Sequence, residues 1–268
     1  MVTGFRYASR AMVGAREGQE DCCQFAPVAP AGGGTVPLER RSASRVATLL
    51  AVLADGMGGH VGGAEASGIA CDSFVAAYQE ETGAERSRLA GALDTANRAI
   101  AAALKRDRSL QGMGCTLVGA AFTDQGLQWV SVGDSPLLLF RDGKLYQLNE
   151  NHSLAPLLDK LAANGEMTLA AAEADPRRHY LRAALTGDAI EMVDLSTSAL
   201  ALREGDVLLL ASDGLEVLSH AEMADLLAAR ANGEPEALVA ALLTAVEAKG
   251  ALNQDNVTVM AVRPMFEG

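Results

Sequence analysis

The chain has 268 residues, 49% of them hydrophobic and 21% charged, a balance that suits one soluble globular core better than a disordered or membrane-embedded chain. Its formal net charge of -12 argues against a nucleic-acid groove or an anionic membrane surface, both of which need clustered Lys and Arg. An anion bound here must find its positive charge locally, from an Arg, a helix N-terminus or a divalent metal.

The N-terminal stretch MVTGFRYASRAM has no hydrophobic block after its charges, and no apolar run reaches membrane-spanning length, so a cytoplasmic protein with no membrane association is expected. Cys22, Cys23, Cys71 and Cys115 lack C-x-x-C spacing and read as reduced, mostly buried small apolar residues. Residues 26 to 45, rich in Pro, Gly, Ser and Arg, read as an exposed loop whose Arg40, Arg41 and Arg45 are solvated charge. From Val46 to Ala54 the sequence reads as a buried strand, then a Gly-rich turn, then a helix to about residue 82. An amphipathic Ala-rich helix over 85–106 follows. The period then shortens to strands at 114–123, 127–132, 136–140 and 144–148, with Asp142-Gly143 as a hairpin turn. Helices at 153–164 and 168–174, strands at 191–197 and 206–212, helices at 220–230 and 235–248 and a strand at 256–263 complete the chain. Helices fall in pairs between groups of strands, which points to antiparallel sheets with helical layers outside them.

Apolar strands repeatedly end or begin at an aspartate beside a small residue: LLAVLADG with Asp55, LLLASDG with Asp213 and QDNVTVMAV with Asp255. Asp134 breaks WVSVGDSPLLLF between two strands. One Asp-Gly pair is an ordinary turn. Four carboxylates against apolar strands are expensive unless a cation neutralises them. Without His or Cys at ligand spacing, the hard cations Mg²⁺ or Mn²⁺ suit these oxygens better than Zn²⁺. Such a centre suits phosphoryl chemistry.

The ordered series R-E-G-Q-E-D (16–21), A-D-G-M-G-G-H (54–60), G-M-G-C-T (112–116), V-G-D-S (132–135), A-L-T-G (184–187), A-S-D-G-L (211–215) and D-N-V-T-V (255–259) resembles the bacterial PP2C-type (PPM) metal-dependent protein serine/threonine phosphatases. The resemblance covers nearly the whole chain and implies a single domain over 1–268. It implies an α+β fold, a four-layer α-β-β-α sandwich of two central antiparallel sheets flanked by helices, with a flap at about 150–185. It implies that Asp55 bridges two metal ions, that Gly56 offers its carbonyl to one, and that Asp213 and Asp255 complete the first ion's shell. It further implies that Glu20 and Asp21 act through metal-bound waters, that Arg16 binds the substrate phosphate, and that Asp134 with Asp213 holds a third ion. The implied reaction is attack on phosphoserine or phosphothreonine by a metal-activated water, with no phosphoenzyme. The implied partners are phosphoproteins, among them a serine/threonine kinase and its targets. A monomer is the default.

Several positions depart from that pattern. Gln19 stands for Asn, Cys115 for Thr, Pro136 for Arg, Ala183 for Arg with Arg182 one residue earlier, and His179 for Asn. Met57 occupies the place where eukaryotic relatives carry a histidine proposed to protonate the leaving group. His60 reads equally as a helix-entry residue or a catalytic part, while His152 and His179 read as surface residues. The departures motivate an alternative, a catalytically weak or inactive regulator that binds a phosphoprotein or kinase. The sporulation-type branch and a small-molecule phosphomonoesterase are further rivals.

Overall fold

The computed structural model describes residues 1–28, 48–58, 62–231 and 233–267. His60, Arg40, Arg41 and Arg45, with most of the loop expected at 26 to 45, lie outside the described residues. The elements in order are β1 (Val2–Met12), β2 (Cys22–Pro27), β3 (Leu49–Ala54), β4 (Gly56–Met57), α1 (Gly62–Glu80), α2 (Glu85–Arg106), β5 (Gly114–Cys115), β6 (Leu117–Thr123), β7 (Gly126–Val132), β8 (Leu137–Arg141) and β9 (Lys144–Gln147). They continue with α3 (Ala155–Ala163), α4 (Leu169–Glu173), β10 (Asp194–Leu195), β11 (Val207–Ala211), α5 (His220–Ala228), α6 (Pro235–Lys249) and β12 (Val257–Phe266).

Two antiparallel five-stranded sheets result, ordered β1-β12-β11-β8-β9 and β10-β7-β6-β3-β2. Successive side chains on a strand point to opposite faces, so a strand apolar at every position must be covered on both. In β3, Leu49, Ala51 and Leu53 face the space between the sheets, while Leu50, Val52 and Ala54 pack under α1 and α2. In β11, Leu208 and Leu210 turn inward, and Val207, Leu209 and Ala211 pack under α5 and α6. Each sheet therefore has a helical layer outside it, and the four-layer α-β-β-α sandwich expected from the motifs is the observed fold.

Boundaries differ from expectation where local packing overrides the apolar pattern. The sequence pattern does not announce β1, an edge strand whose fully covered apolar side chains are Phe5 and Tyr7, nor β2, which begins at Cys22 and ends at Pro27. The strand expected over 114–123 is interrupted at Thr116, whose N–H leaves the ladder to donate to the Asp55 carbonyl at 2.9 Å. Of the strand expected over 191–197, Asp194–Leu195 alone pairs, with β7. Residues 150–185 form a helical excursion of α3 and α4 clasped at its base. There Leu154 N–H donates to the Tyr180 carbonyl at 3.0 Å and Arg182 N–H to the His152 carbonyl at 2.8 Å.

Candidate active site

Strand register brings the aspartates to one end of the sandwich. In the first sheet Val257, at the start of β12, lies opposite Met12 at the end of β1, and Val259 lies opposite Ala211 at the end of β11. Asp255, Asp213 and the Arg16 loop are thereby neighbours. In the second sheet Leu53 at the end of β3 pairs with Val118, and Val132 at the end of β7 pairs with Leu117. Asp55 and Asp134 thus emerge side by side. The two groups meet across a cavity of about 450 Å³ lined by Asp55, Asp134, Asp213 and Asp255, with Arg16, Glu20 and His179 at its walls.

The electrostatics are those of crowded anions. Burial first, and then the charges of Asp21, Asp213, Asp134 and Asp255, hold the Asp55 carboxyl well above the usual carboxylate range. Burial and the charges of Asp213 and Glu216 push Asp134 up to about 7. Asp213 is raised by burial and by Asp255, with partial relief from His179 and Arg16. Asp21 does not line the cavity. It sits behind it, where burial raises its carboxyl to about 6 although the Thr258 and Ser212 hydroxyls lie close. Its Oδ2 accepts from Ser212 Oγ at 2.8 Å, and its buried Oδ1 has no protein partner.

Arg16 supplies positive charge from a loop that the backbone pins down. Its Nη2 donates to Asp255 Oδ2 at 2.5 Å, with both side chains about half exposed. Gly14 allows the loop to lie this close: its φ is +66°, and a Cβ there would stand 2.4 Å from the Asp255 carbonyl oxygen. Gly56 is equally constrained, since a Cβ would stand 2.2 Å from the Gly63 carbonyl oxygen and 2.6 Å from that of Glu20. Glu20 is held through its backbone, its N–H donating to Asn256 Oδ1 at 2.7 Å and its carbonyl accepting from Ser67 Oγ at 2.6 Å.

The supporting polar residues escape sequence reasoning. Thr116 Oγ1 accepts from the Asp55 N–H at 3.1 Å and shares a 2.7 Å hydrogen bond with Ser135 Oγ, tying the Asp55 turn to the Asp134 turn. Asn256 donates from Nδ2 to the carbonyls of Val13 at 2.8 Å and Gly18 at 3.0 Å, fastening both ends of the Arg16 loop. Ser212 Oγ accepts from the Thr258 N–H at 2.9 Å while it donates to Asp21. Each is a small polar residue one position from a motif aspartate or inside a motif, and that adjacency is the signal that points to it.

The departures find local accommodation. Gln19 Oε1 accepts from the Asp21 N–H at 3.1 Å. Pro136 lacks an N–H, yet its carbonyl accepts from Ala211 at 3.1 Å and keeps the sheet joined beside Asp134. Cys115 is fully buried against the helices, and Ala183 is buried at the flap base. The surface reading of His152 is incorrect. Its side chain is 1% exposed, and Nδ1 accepts from the Gly133 N–H at 3.3 Å because the flap base folds over the Asp134 turn. His179 is exposed as expected, but its exposure is into the cavity.

Among the described residues, no three His, Cys, Asp or Glu side chains are drawn around one point closely enough to hold an ion. The carboxylates line a shared opening instead, as like charges do. Their chemistry fits a hard divalent cation: every candidate donor is an oxygen, burial and mutual repulsion disfavour their charge, and Asp21 Oδ1 is buried without a partner.

The protein phosphatase 2C family model matches residues 41–254. The chain belongs to the protein phosphatase 2C family. It is 36% identical over 167 residues to serine/threonine protein phosphatase PstP of Mycobacterium tuberculosis, covering 62% of this chain and 31% of that protein. The chain thus matches less than a third of the length of PstP. It is 32% identical over 219 residues to serine/threonine phosphatase stp of Listeria welshimeri, covering 80% of this chain and 83% of that one. The crystal structure of the PstP catalytic domain in complex with two manganese ions is similar at a TM-score of 0.73 and 29% identity, over 98% of this chain and 99% of that one. Among the described residues of this family member, no helix is long and apolar enough to cross a membrane.

Proposed function

We propose that residues 1–268 act as one catalytic unit, a Mg²⁺- or Mn²⁺-dependent phosphatase that hydrolyses phosphoserine and phosphothreonine in proteins. The observation that carries this reading is the convergence of Asp55, Asp134, Asp213 and Asp255 on a single cavity beside Arg16, in a protein phosphatase 2C relative. Asp55, the Gly56 carbonyl, Asp213 and Asp255 are the groups that would hold two ions, with Asp134 and Asp213 offering a weaker third place. When bound, the ions neutralise these carboxylates, polarise the phosphoryl oxygens and lower the pKa of a water.

The chain's own residues do the rest. Arg16 is half exposed at the mouth and has a planar fork that matches two phosphoryl oxygens. Its present partner, Asp255, belongs to the proposed ligand set, so the guanidinium is stored where it is needed and held by a single ion pair. Glu20 and Asp21 brace the floor through Asn256, Ser67 and Ser212. The substrates are phosphoproteins, a serine/threonine kinase and its targets among them, met in the cytoplasm by a monomer. The departures at Gln19 and Pro136 keep their local hydrogen bonds and remove none of the proposed ligands, which supports an enzyme over an inactive regulator.

The test is hydrolysis of a phosphothreonine peptide and of p-nitrophenyl phosphate by purified protein in EDTA, Mg²⁺ or Mn²⁺, beside Asp213→Asn. Turnover that needs added metal and collapses in the variant is expected. Folded protein that turns over neither substrate with any metal overturns the reading.

A further inference from the structure

We propose that His179 protonates the seryl or threonyl oxygen as it leaves phosphorus, an assignment that rests on the phosphatase reading above. The substrate is a protein chain, too large to enter a cavity of about 450 Å³. Its phosphoryl group must point inward to the carboxylates, and its ester oxygen outward to the mouth. His179 is exposed and lines that cavity together with Asp213.

Among the described residues, several other groups near the cavity are already engaged. Arg16 keeps its proton at any working pH. Thr116 Oγ1 is engaged with the Asp55 N–H and Ser135, and Asn256 Nδ2 with two backbone carbonyls. Asp134 is assigned to cation binding, which requires it ionised. Met57, beside Asp55, has no proton to give.

The backbone at His179 is fixed on both sides. Arg178 forks Asp159 of α3 with contacts of 2.7 and 3.0 Å, Tyr180 N–H donates to the Arg177 carbonyl at 2.8 Å, and Leu181 pairs with Ser153. A group placed this way can meet a leaving atom without a search. In the step, water oxygen bonds to phosphorus as the bond from phosphorus to the ester oxygen breaks. The imidazolium N–H proton passes to that oxygen to give the alcohol. The proton lost by the attacking water goes to solvent, and the imidazole recovers a proton from solvent.

The dependence on leaving group tests this. A seryl or threonyl alkoxide needs a proton as it departs, whereas p-nitrophenolate is a stable anion and does not. In Mg²⁺, His179→Gln is expected to lower kcat on a phosphothreonine peptide by about 100-fold or more, to lower p-nitrophenyl phosphate hydrolysis far less, and to leave the unfolding temperature unchanged. Added imidazole is expected to restore peptide turnover to His179→Ala. Equal loss on both substrates, or no loss on the peptide, overturns the assignment to His179 and leaves the phosphatase reading intact. Wild-type protein that turns over neither substrate overturns both.

Discussion

Asp134→Asn probes the crowding of anions directly, through stability rather than activity. Asp134 is 7% exposed and its carboxyl is pushed up to about 7, against 3.8 for an unperturbed aspartate. Between those values the folded chain binds more proton than the unfolded one, so stability falls as pH rises through the interval. From pH 5.5 to pH 8, with the group protonated at the start and ionised at the end, the loss is about 2 kcal/mol. Asp21, raised to about 6, adds to the fall. His152 opposes it, because burial holds its imidazole below the ordinary value and acid pH costs the folded state. The difference between wild type and Asp134→Asn reports this carboxyl together with its charge on Asp55. Urea denaturation in EDTA at both pH values, followed by the fluorescence of Trp129, the one tryptophan in the chain, is the assay. Wild type is expected to lose about 2 kcal/mol more than the variant over this range, and Mg²⁺ at pH 8 to restore wild-type stability by binding the folded state. Equal pH dependence in the two proteins would refute the claim that burial and neighbouring carboxylates hold the Asp134 carboxyl up in the folded chain.

Two glycines make a matched pair. Gly56→Ala drives a methyl into the Gly63 and Glu20 carbonyl oxygens and is expected to cost about 1–3 kcal/mol or more in urea denaturation. Gly68→Ala, inside α1 with nothing within 4 Å of the added carbon, is expected to stabilise by about 0.4–1 kcal/mol. Opposite signs are the prediction, and a neutral Gly56→Ala contradicts the steric argument. Asn256→Ala removes three hydrogen bonds that hold Glu20 and the Arg16 loop, at a cost of about 3 kcal/mol. Because the loop carries Arg16, KM for the phosphothreonine peptide is expected to rise more than kcat falls in steady-state assays.

The parts of the fold that were legible are those whose chemistry admits one solution. Leu49–Ala54 and Val207–Ala211 are apolar at every position, so they had to be strands covered on both faces, and the layers follow from that. The aspartates at their ends stood out because a carboxylate at such a place is costly. Val2–Met12 was illegible because it is an edge strand with one face at the rim, where Arg and Ser are tolerated beside Phe5 and Tyr7. Thr116, Ser212 and Asn256 were illegible because a hydroxyl or amide shows its worth only through the atom it meets. The burial of His152 depends on the flap base folding onto the Asp134 turn, a contact between distant segments that no local pattern encodes.

The contact between Arg16 and Asp255 spans 239 positions of the chain. The ladder beneath it pairs β1 with β12, the first strand with the last. Contacts so far apart in sequence carry a high loop-closure cost and slow folding. During synthesis, the growing polypeptide carries Arg16, Asp55 and Asp134 long before Asp213 and Asp255 leave the ribosome. A stalled or clipped product ending before Asp255 lacks both a proposed ligand and the strand that seats the arginine loop. Under the proposed function, a chain cut before Asp255 is expected to remove no phosphate.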